Sequence, residues 1–125
     1  MKNKNISPHV TIYKFPLPAI SSISNRITGV AMTGLFLGYG LGNLIDPNFN
    51  KVVESKYNNL SYLQKFGIAN VFVLPTTYHT IGGLRHFYLD KFPKNLNNAF
   101  MNKSSLGMFA SSFIVSGIIS HFIAK

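Results

Sequence analysis

Three stretches of the chain carry no charged residue: Ile27 to Ile45 (19 residues), Phe66 to Leu84 (19 residues) and Ser104 to Ala124 (21 residues). A bilayer core takes roughly 20 residues of helix at about 1.5 Å rise each. No other segment of the chain stays uncharged for that length. The pattern predicts an all-α integral membrane protein of one domain, 1–125, with transmembrane helices at 21–45, 66–89 and 104–124. Residues 1–20 form an N-terminal segment. The first helix is drawn back to Ser21, after Pro18, so Arg26 lies about one turn inside it. Between the first two spans, Asp46 to Lys65 is polar, rich in Asn and Lys, and reads as a loop that ends in a short Leu60–Leu63 patch. No internal repeat is present.

Composition supports the same class. Charged residues are 12% of the chain, about half the share of a soluble domain, and apolar residues are 46%. The net charge of +9 invites a nucleic-acid reading, but the cations form no patch. They fall in the gaps between uncharged stretches, where membrane proteins place Lys and Arg. Cysteine is absent, which removes disulfides, thiolate metal sites and a cysteine nucleophile from consideration. Met1 to Asn5 is too short for a transit peptide, and no signal-peptide core precedes a cleavage site.

The cations also set an expected orientation. Lys2, Lys4, Lys14 and Arg26 flank the first span, and Arg85, Lys91, Lys94 and Lys103 lie between the second and third. Three spans put these eight on one side, against Lys51, Lys56, Lys65 and Lys125 on the other. Eight against four places the N-terminus and the second connection on the cytoplasmic or matrix side.

Within the spans, most residues read as packing residues. Gly34, Gly38 and Gly42 repeat at four-residue spacing, which lets helices approach closely. The second span holds the chemistry. His79 lies six residues before Arg85, roughly 9 Å below the helix end. An ionisable residue at that depth is costly, and so a functional candidate. Pro75, four residues earlier, cannot donate a backbone hydrogen bond, so a bend is expected near Val71. Gly82 and Gly83 follow at three and four residues on the His79 face and leave a flat shelf beside the imidazole. A planar macrocycle uses such a shelf, and so does a closely packed helix. Three readings of His79 stay open on these grounds: a neutral histidine bonded to a neighbouring helix, a haem ligand, and part of a proton or substrate path.

His121 is weighed by depth. It lies 17 residues beyond Ser104, about 25 Å from the side near which His79 sits. Two histidines on one iron sit within a few ångströms of each other, so in straight helices these two cannot share a haem. A second polar group opens the first span: Ser21, Ser22, Ser24, Asn25, Arg26 and Thr28. Ser22 and Arg26 are four apart and share a face. A hydroxyl beside a guanidinium can hold a carbonyl oxygen or a carboxylate, and it also fits a snorkelling arginine with capping serines.

Three motifs carry a family resemblance. Ser7-Pro-His-Val-Thr-Ile-Tyr13 resembles the SPHxTIY opening of the cytochrome b subunits of succinate dehydrogenase, the large membrane anchors of respiratory complex II. Ser22-Ile-Ser-Asn-Arg-Ile-Thr-Gly29 resembles that family's S-I-x-H-R-I-T-G, and His79-Thr-Ile-Gly-Gly-Leu-Arg-His86 its H-x-x-x-G-[IL]-R-H, with Asp90 following at the right spacing. The resemblance covers the whole chain, spans included. It implies a subunit of succinate:ubiquinone oxidoreductase without succinate-oxidising residues, in the mitochondrial inner membrane or a bacterial cytoplasmic membrane. It implies haem b as cofactor with His79 as axial iron ligand, and Arg85, His86 and Asp90 near the haem propionates. Ser22 and Arg26 match residues that line a ubiquinone site. Implied partners are a second membrane anchor with the other haem ligand, the iron–sulfur subunit, the flavoprotein indirectly, and membrane lipid. The stretch around His9 resembles the part that meets the soluble subunits. Two positions depart from the family: Asn25 stands where histidine is usual, and Tyr88 where tryptophan is frequent. Asn25 can donate a hydrogen bond but carries no charge for a propionate. A haem-free structural anchor and a small transporter subunit are the rival readings.

Overall fold

The computed structural model describes residues 14–125; the Ser7–Tyr13 motif and His9 lie outside the described residues. The architecture is all-α, with helices α1 (Leu17–Ile45), α2 (Phe49–Asn58), α3 (Tyr62–Lys91) and α4 (Asn98–Ala124), and a 3-10 turn at Pro93–Asn95. Local chemistry sets the boundaries. Pro16 precedes α1 and Pro18 sits in its first turn, where a preset φ suits helix entry and no amide hydrogen is missed. Asp46 is extended, with φ −128° and ψ 111°, as a residue before proline prefers, and Pro47 ends α1. The Gln64 side chain accepts from the Ser61 amide at 3.0 Å at the start of α3. Asn97 caps α4 by accepting from the Phe100 amide at 2.8 Å.

α1, α3 and α4 run up, down and up beside one another. At one end the start of α1, the end of α3 and the start of α4 meet: the Ser21 and Ser105 hydroxyls lie 3.1 Å apart, and Arg85 donates to Ser104 at 3.0 Å. At the other end Tyr62, opening α3, bonds His121 Nδ1 near the end of α4 at 2.7 Å. His79 is 17 residues along α3 from Tyr62, about 25 Å, so the two histidines occupy opposite ends of the bundle.

The packing is inverted relative to a soluble protein. The most fully buried side chains among the described residues are serines: Ser21, Ser105, Ser112, Ser116 and Ser120. Large apolar side chains face out, among them Val30, Phe36, Leu44, Phe113 and Phe122. Hydrocarbon outside and small polar residues inside is the arrangement of helices packed in lipid. Ser112, Ser116, Ser120 and Ala124 repeat every fourth residue along the buried face of α4, and the Ser116 hydroxyl donates to Asn70 of α3 at 2.7 Å.

Three features differ from the sequence reading. The expected three transmembrane helices correspond to three long helices, but two of them, α1 and α4, are long and apolar enough to cross a membrane by composition. α3 has the length, 30 residues. Its middle carries Asn70, Pro75, Thr76, Thr77, His79 and Thr80, which dilute its apolar character. Second, the polar connection contains a helix, α2. Phe49, Val52, Val53 and Tyr57 recur at helical spacing there, and the Phe49 ring seats on Gly42, where a Cβ would come within 2.7 Å of it. Third, Gly34 and Gly38 meet no neighbour among the described residues, and the close-packing stripe within the bundle is the serine row of α4. α3 continues unbroken through Pro75, and the Thr76 and Thr77 hydroxyls bond the carbonyls of Phe72 and Val73.

Ser116→Leu forces a larger side chain between α3 and α4 and strips Asn70 of its donor. Overpacking of this kind costs about 1–3 kcal/mol, so the variant should unfold earlier in a detergent thermal melt. Phe113→Leu on the outer face should stay within about 0.5 kcal/mol.

Candidate functional site

The site is built where α1 crosses α3. His79 is half-buried on α3, and its Nδ1 lies 3.0 Å from the backbone carbonyl of Asn25 on α1. A carbonyl only accepts, so Nδ1 carries a proton and donates; in the neutral ring the lone pair is then on Nε2. Among the described residues Nε2 has no hydrogen-bond partner. The sequence reading of a histidine bonded to a neighbouring helix therefore describes one ring nitrogen and leaves the other available.

Two glycines make this contact possible. A Cβ on Gly29 would stand 3.0 Å from His79 Cε1 and 3.3 Å from Nδ1, so the ring lies against bare α1 backbone. A Cβ on Gly82 would stand 2.9 Å from Asn25 Cγ and closer still to Oδ1. The Asn25 side chain fills that notch, and its buried Oδ1 has no hydrogen-bond partner. The expected shelf of Gly82 and Gly83 is thus split. Gly82 is taken by Asn25, while beside Gly83 nothing lies within 4 Å.

A polar latch sits next to this contact. Tyr78 donates from its hydroxyl to the Ser21 carbonyl at 3.1 Å, and Ser21 Oγ meets Ser105 Oγ on α4. Arg85 closes the latch from α3, with Nε to Ser104 Oγ at 3.0 Å and Nη2 to Ser105 Oγ at 3.1 Å. Ser105 also donates to the Met101 carbonyl at 2.8 Å. Arg85, expected beside the propionates, is turned towards α4 by these bonds. Tyr78, Ser21 and Ser105 escaped sequence reading as structural partners. The readable signal was the adjacency of Tyr78 to His79 and the one-turn spacing of Ser21 and Asn25.

The remaining candidates are open. Ser22 is half-buried, and Arg26 is exposed beside an open groove of about 390 Å³ shared with Ile27, Val30 and Ala31. Neither makes a hydrogen bond among the described residues. Arg26 lies one residue beyond Asn25, so it starts on the His79 side of the bundle but points to a different face. His86 and Asp90 are exposed at the end of α3.

The His79 surroundings fit a haem iron. Its ring orientation and tautomer are held by a carbonyl, the outer-shell bond usual for a ligating histidine. Nε2 is uncommitted, and open space lies beside Gly83. For propionates the fit is narrower. The Nε and Nη2 donors of Arg85 are engaged on α4 and the Asn25 side chain is packed against Gly82, which leaves Nη1 of Arg85 and His86 as the donors not already engaged.

Comparison with known proteins gives the same direction. Residues 1–119 match the model of the succinate dehydrogenase/fumarate reductase transmembrane subunit family. The chain is 35% identical over 118 residues to the succinate dehydrogenase cytochrome b560 subunit, mitochondrial, of Dictyostelium discoideum, covering 91% of the chain and 59% of that protein. It is 39% identical over 94 residues to the same-named subunit of Sus scrofa, covering 70% and 53%. The Porphyra purpurea subunit is 34% identical, with 90% of the chain and 91% of that protein covered. The chain thus spans a little over half the length of the first two and most of the third.

The glycine roles are separable. Alanine in a helix interior gains up to about 1 kcal/mol over glycine. Gly83→Ala, facing open space, should keep that gain in the haem-free chain. Gly82→Ala presses on Asn25 and should lose it, leaving the two variants about 1–3 kcal/mol apart in thermal unfolding.

Proposed function

The chain belongs to the succinate dehydrogenase/fumarate reductase transmembrane subunit family, and on that premise we propose that it is the cytochrome b anchor of a succinate dehydrogenase complex. In this reading it is a non-catalytic-centre subunit of an oxidoreductase, seated in the mitochondrial inner membrane. α3 spans the bilayer with α1 and α4, its polar middle turned into the assembly. The cation-rich end, with Arg26, Arg85, Lys91, Lys94 and Lys103, faces the matrix.

The observation that carries the reading is the His79 ring, with Nδ1 on the Asn25 carbonyl and Nε2 free. His79 would hold haem iron through Nε2, and Arg85 and His86 would stand near the propionates. When bound, the haem supplies a one-electron redox centre in a low-polarity site. The donation from Nδ1 to Asn25 leaves Nε2 for the iron and fixes the ring plane. His121, at the other end of the bundle, is out of reach, so the second ligand belongs to another anchor subunit. Arg26 and Ser22 would form part of the ubiquinone wall, completed by the iron–sulfur subunit. Arg26 would stabilise negative charge developing on a quinone oxygen, and Ser22 would donate a hydrogen bond. Asp90, exposed one turn beyond His86, adds a carboxylate at the same surface.

His79→Ala should lower haem content in the assembled complex, read from the b-type α-band, whereas His121→Ala should leave the spectrum as it was. An unchanged spectrum in the His79 variant would overturn the assignment.

Arg26→Ala removes a charged donor worth roughly 1.5–3 kcal/mol. If that energy acts on the reduced quinone, quinone-linked succinate oxidation falls about 10- to 150-fold. Ser22→Ala, losing a neutral bond of about 0.5–1.5 kcal/mol, should fall less. Oxidation by an artificial acceptor that draws electrons from the soluble subunits should survive both. If the two activities fall together with assembly intact, or neither falls, Arg26 is an interface anchor and not part of the quinone wall.

A further inference from the structure

At the end of the bundle remote from His79, α1, α2, α3 and the last turn of α4 line an open apolar cleft of about 400 Å³. Phe36, Tyr39, Val53, Tyr57, Ile68 and Phe72 form most of its wall. The two phenols in that wall are committed elsewhere: Tyr39 donates to Asn50, and Tyr57 lies 3.5 Å from the Ile123 carbonyl. A ligand with a polar end to satisfy finds no partner inside, so the cleft selects hydrocarbon. A small residue, Ala69, keeps it open on the α3 side.

The mouth is different in character. A second hollow of about 230 Å³ shares Val53, Tyr57 and Ile68 with the first and has Lys56 at its rim. Lys65 Nζ stands 5.7 Å from the Tyr57 ring centroid. The acidic residues at this end are Asp46, whose Oδ1 accepts from the Asn48 amide, and Glu54, exposed on α2. From Lys65 to Val73 along α3 is eight residues, about 12 Å. The cleft therefore runs inward from cationic side chains for the depth of the upper part of a lipid tail.

We propose that this cleft holds one acyl chain of an anionic phospholipid whose headgroup phosphate meets Lys56 and Lys65. Hydrocarbon matches the apolar walls, and two cations at the mouth select the negative headgroup. The bound tail would fasten α2 to α1 and α3 through the wall residues Val53 and Tyr57. The inference stands independently of the haem and quinone reading.

The test uses the assembled complex in bilayers doped with phosphatidylglycerol or phosphatidylcholine bearing a photoreactive diazirine on one acyl chain, with labelled peptides mapped by mass spectrometry. Label should concentrate on 49–58 and 65–73. The phosphatidylglycerol probe should win by about fivefold per lysine, the equivalent of the roughly 1 kcal/mol that a cation near a membrane surface contributes. Val53→Trp, made from the exposed side of α2, should fill the hollow and cut that label severalfold. Lys56→Gln with Lys65→Gln is a surface change that leaves the fold alone, and it should bring the two probes level. Equal labelling by both probes in the unmodified complex overturns the proposal. So does label no denser there than on the outer faces of α1 and α4, or label unchanged in an assembled Val53→Trp complex. Cross-linking of these segments to a partner subunit in place of lipid would also overturn it.

Discussion

Close approach of helices through small side chains is the constraint on which the rest of this molecule depends. Between helices in lipid there is little hydrophobic gain, because the tails outside are as apolar as the side chains. Association then rests on contact and on polar groups meeting. Here α4 offers a row of serines and an alanine to α3, and α1 meets α3 over Gly29 and Gly82. The 3.0 Å contact between His79 and the Asn25 carbonyl follows from that geometry. With a Cβ at Gly29 the ring must move, and with one at Gly82 the asparagine must move.

The latch and the site act as one unit. Ser21 and Asn25 are a turn apart on α1, and Tyr78 and His79 are neighbours on α3. The bond from Tyr78 to Ser21 therefore sets the same helix spacing as the bond from His79 to Asn25. Arg85 draws the third helix into the arrangement through Ser104 and Ser105. In low-dielectric surroundings each of these bonds is strong when made and costly when left open. The ring plane of His79 is thus held by three helices, which is the kind of support a ligating histidine requires.

The two ends of the bundle divide the chemistry. One end gathers Arg26, Arg85, His79 and His86 and suits charge transfer and polar ligands. The other carries α2, the Tyr62–His121 pair and an apolar cleft with Lys56 and Lys65 nearby. The 17 residues of α3 between Tyr62 and His79, about 25 Å, keep these roles apart.

The sequence by itself determined the helical class, the three long apolar stretches, the depth of His79 and His121, and the family motifs. These are properties of one segment at a time, set by the count of uncharged residues, the helical rise and the order of residues within a motif. It did not reveal α2, because four apolar residues at helical spacing in a Lys- and Asn-rich segment become a helix only with Gly42 and α1 to pack against. It did not tell which small residues carry the packing. Gly34 and Gly38 have the same spacing as Ser112 and Ser116, and only the assembled bundle shows which face meets a neighbour. Nor did it assign the shelf beside His79, since Gly82 and Gly83 are equivalent until Asn25 arrives from another helix. Which nitrogen of His79 is free, and which way Arg85 turns, were decided by contacts between residues 54 and 19 positions apart, and no local pattern encodes those.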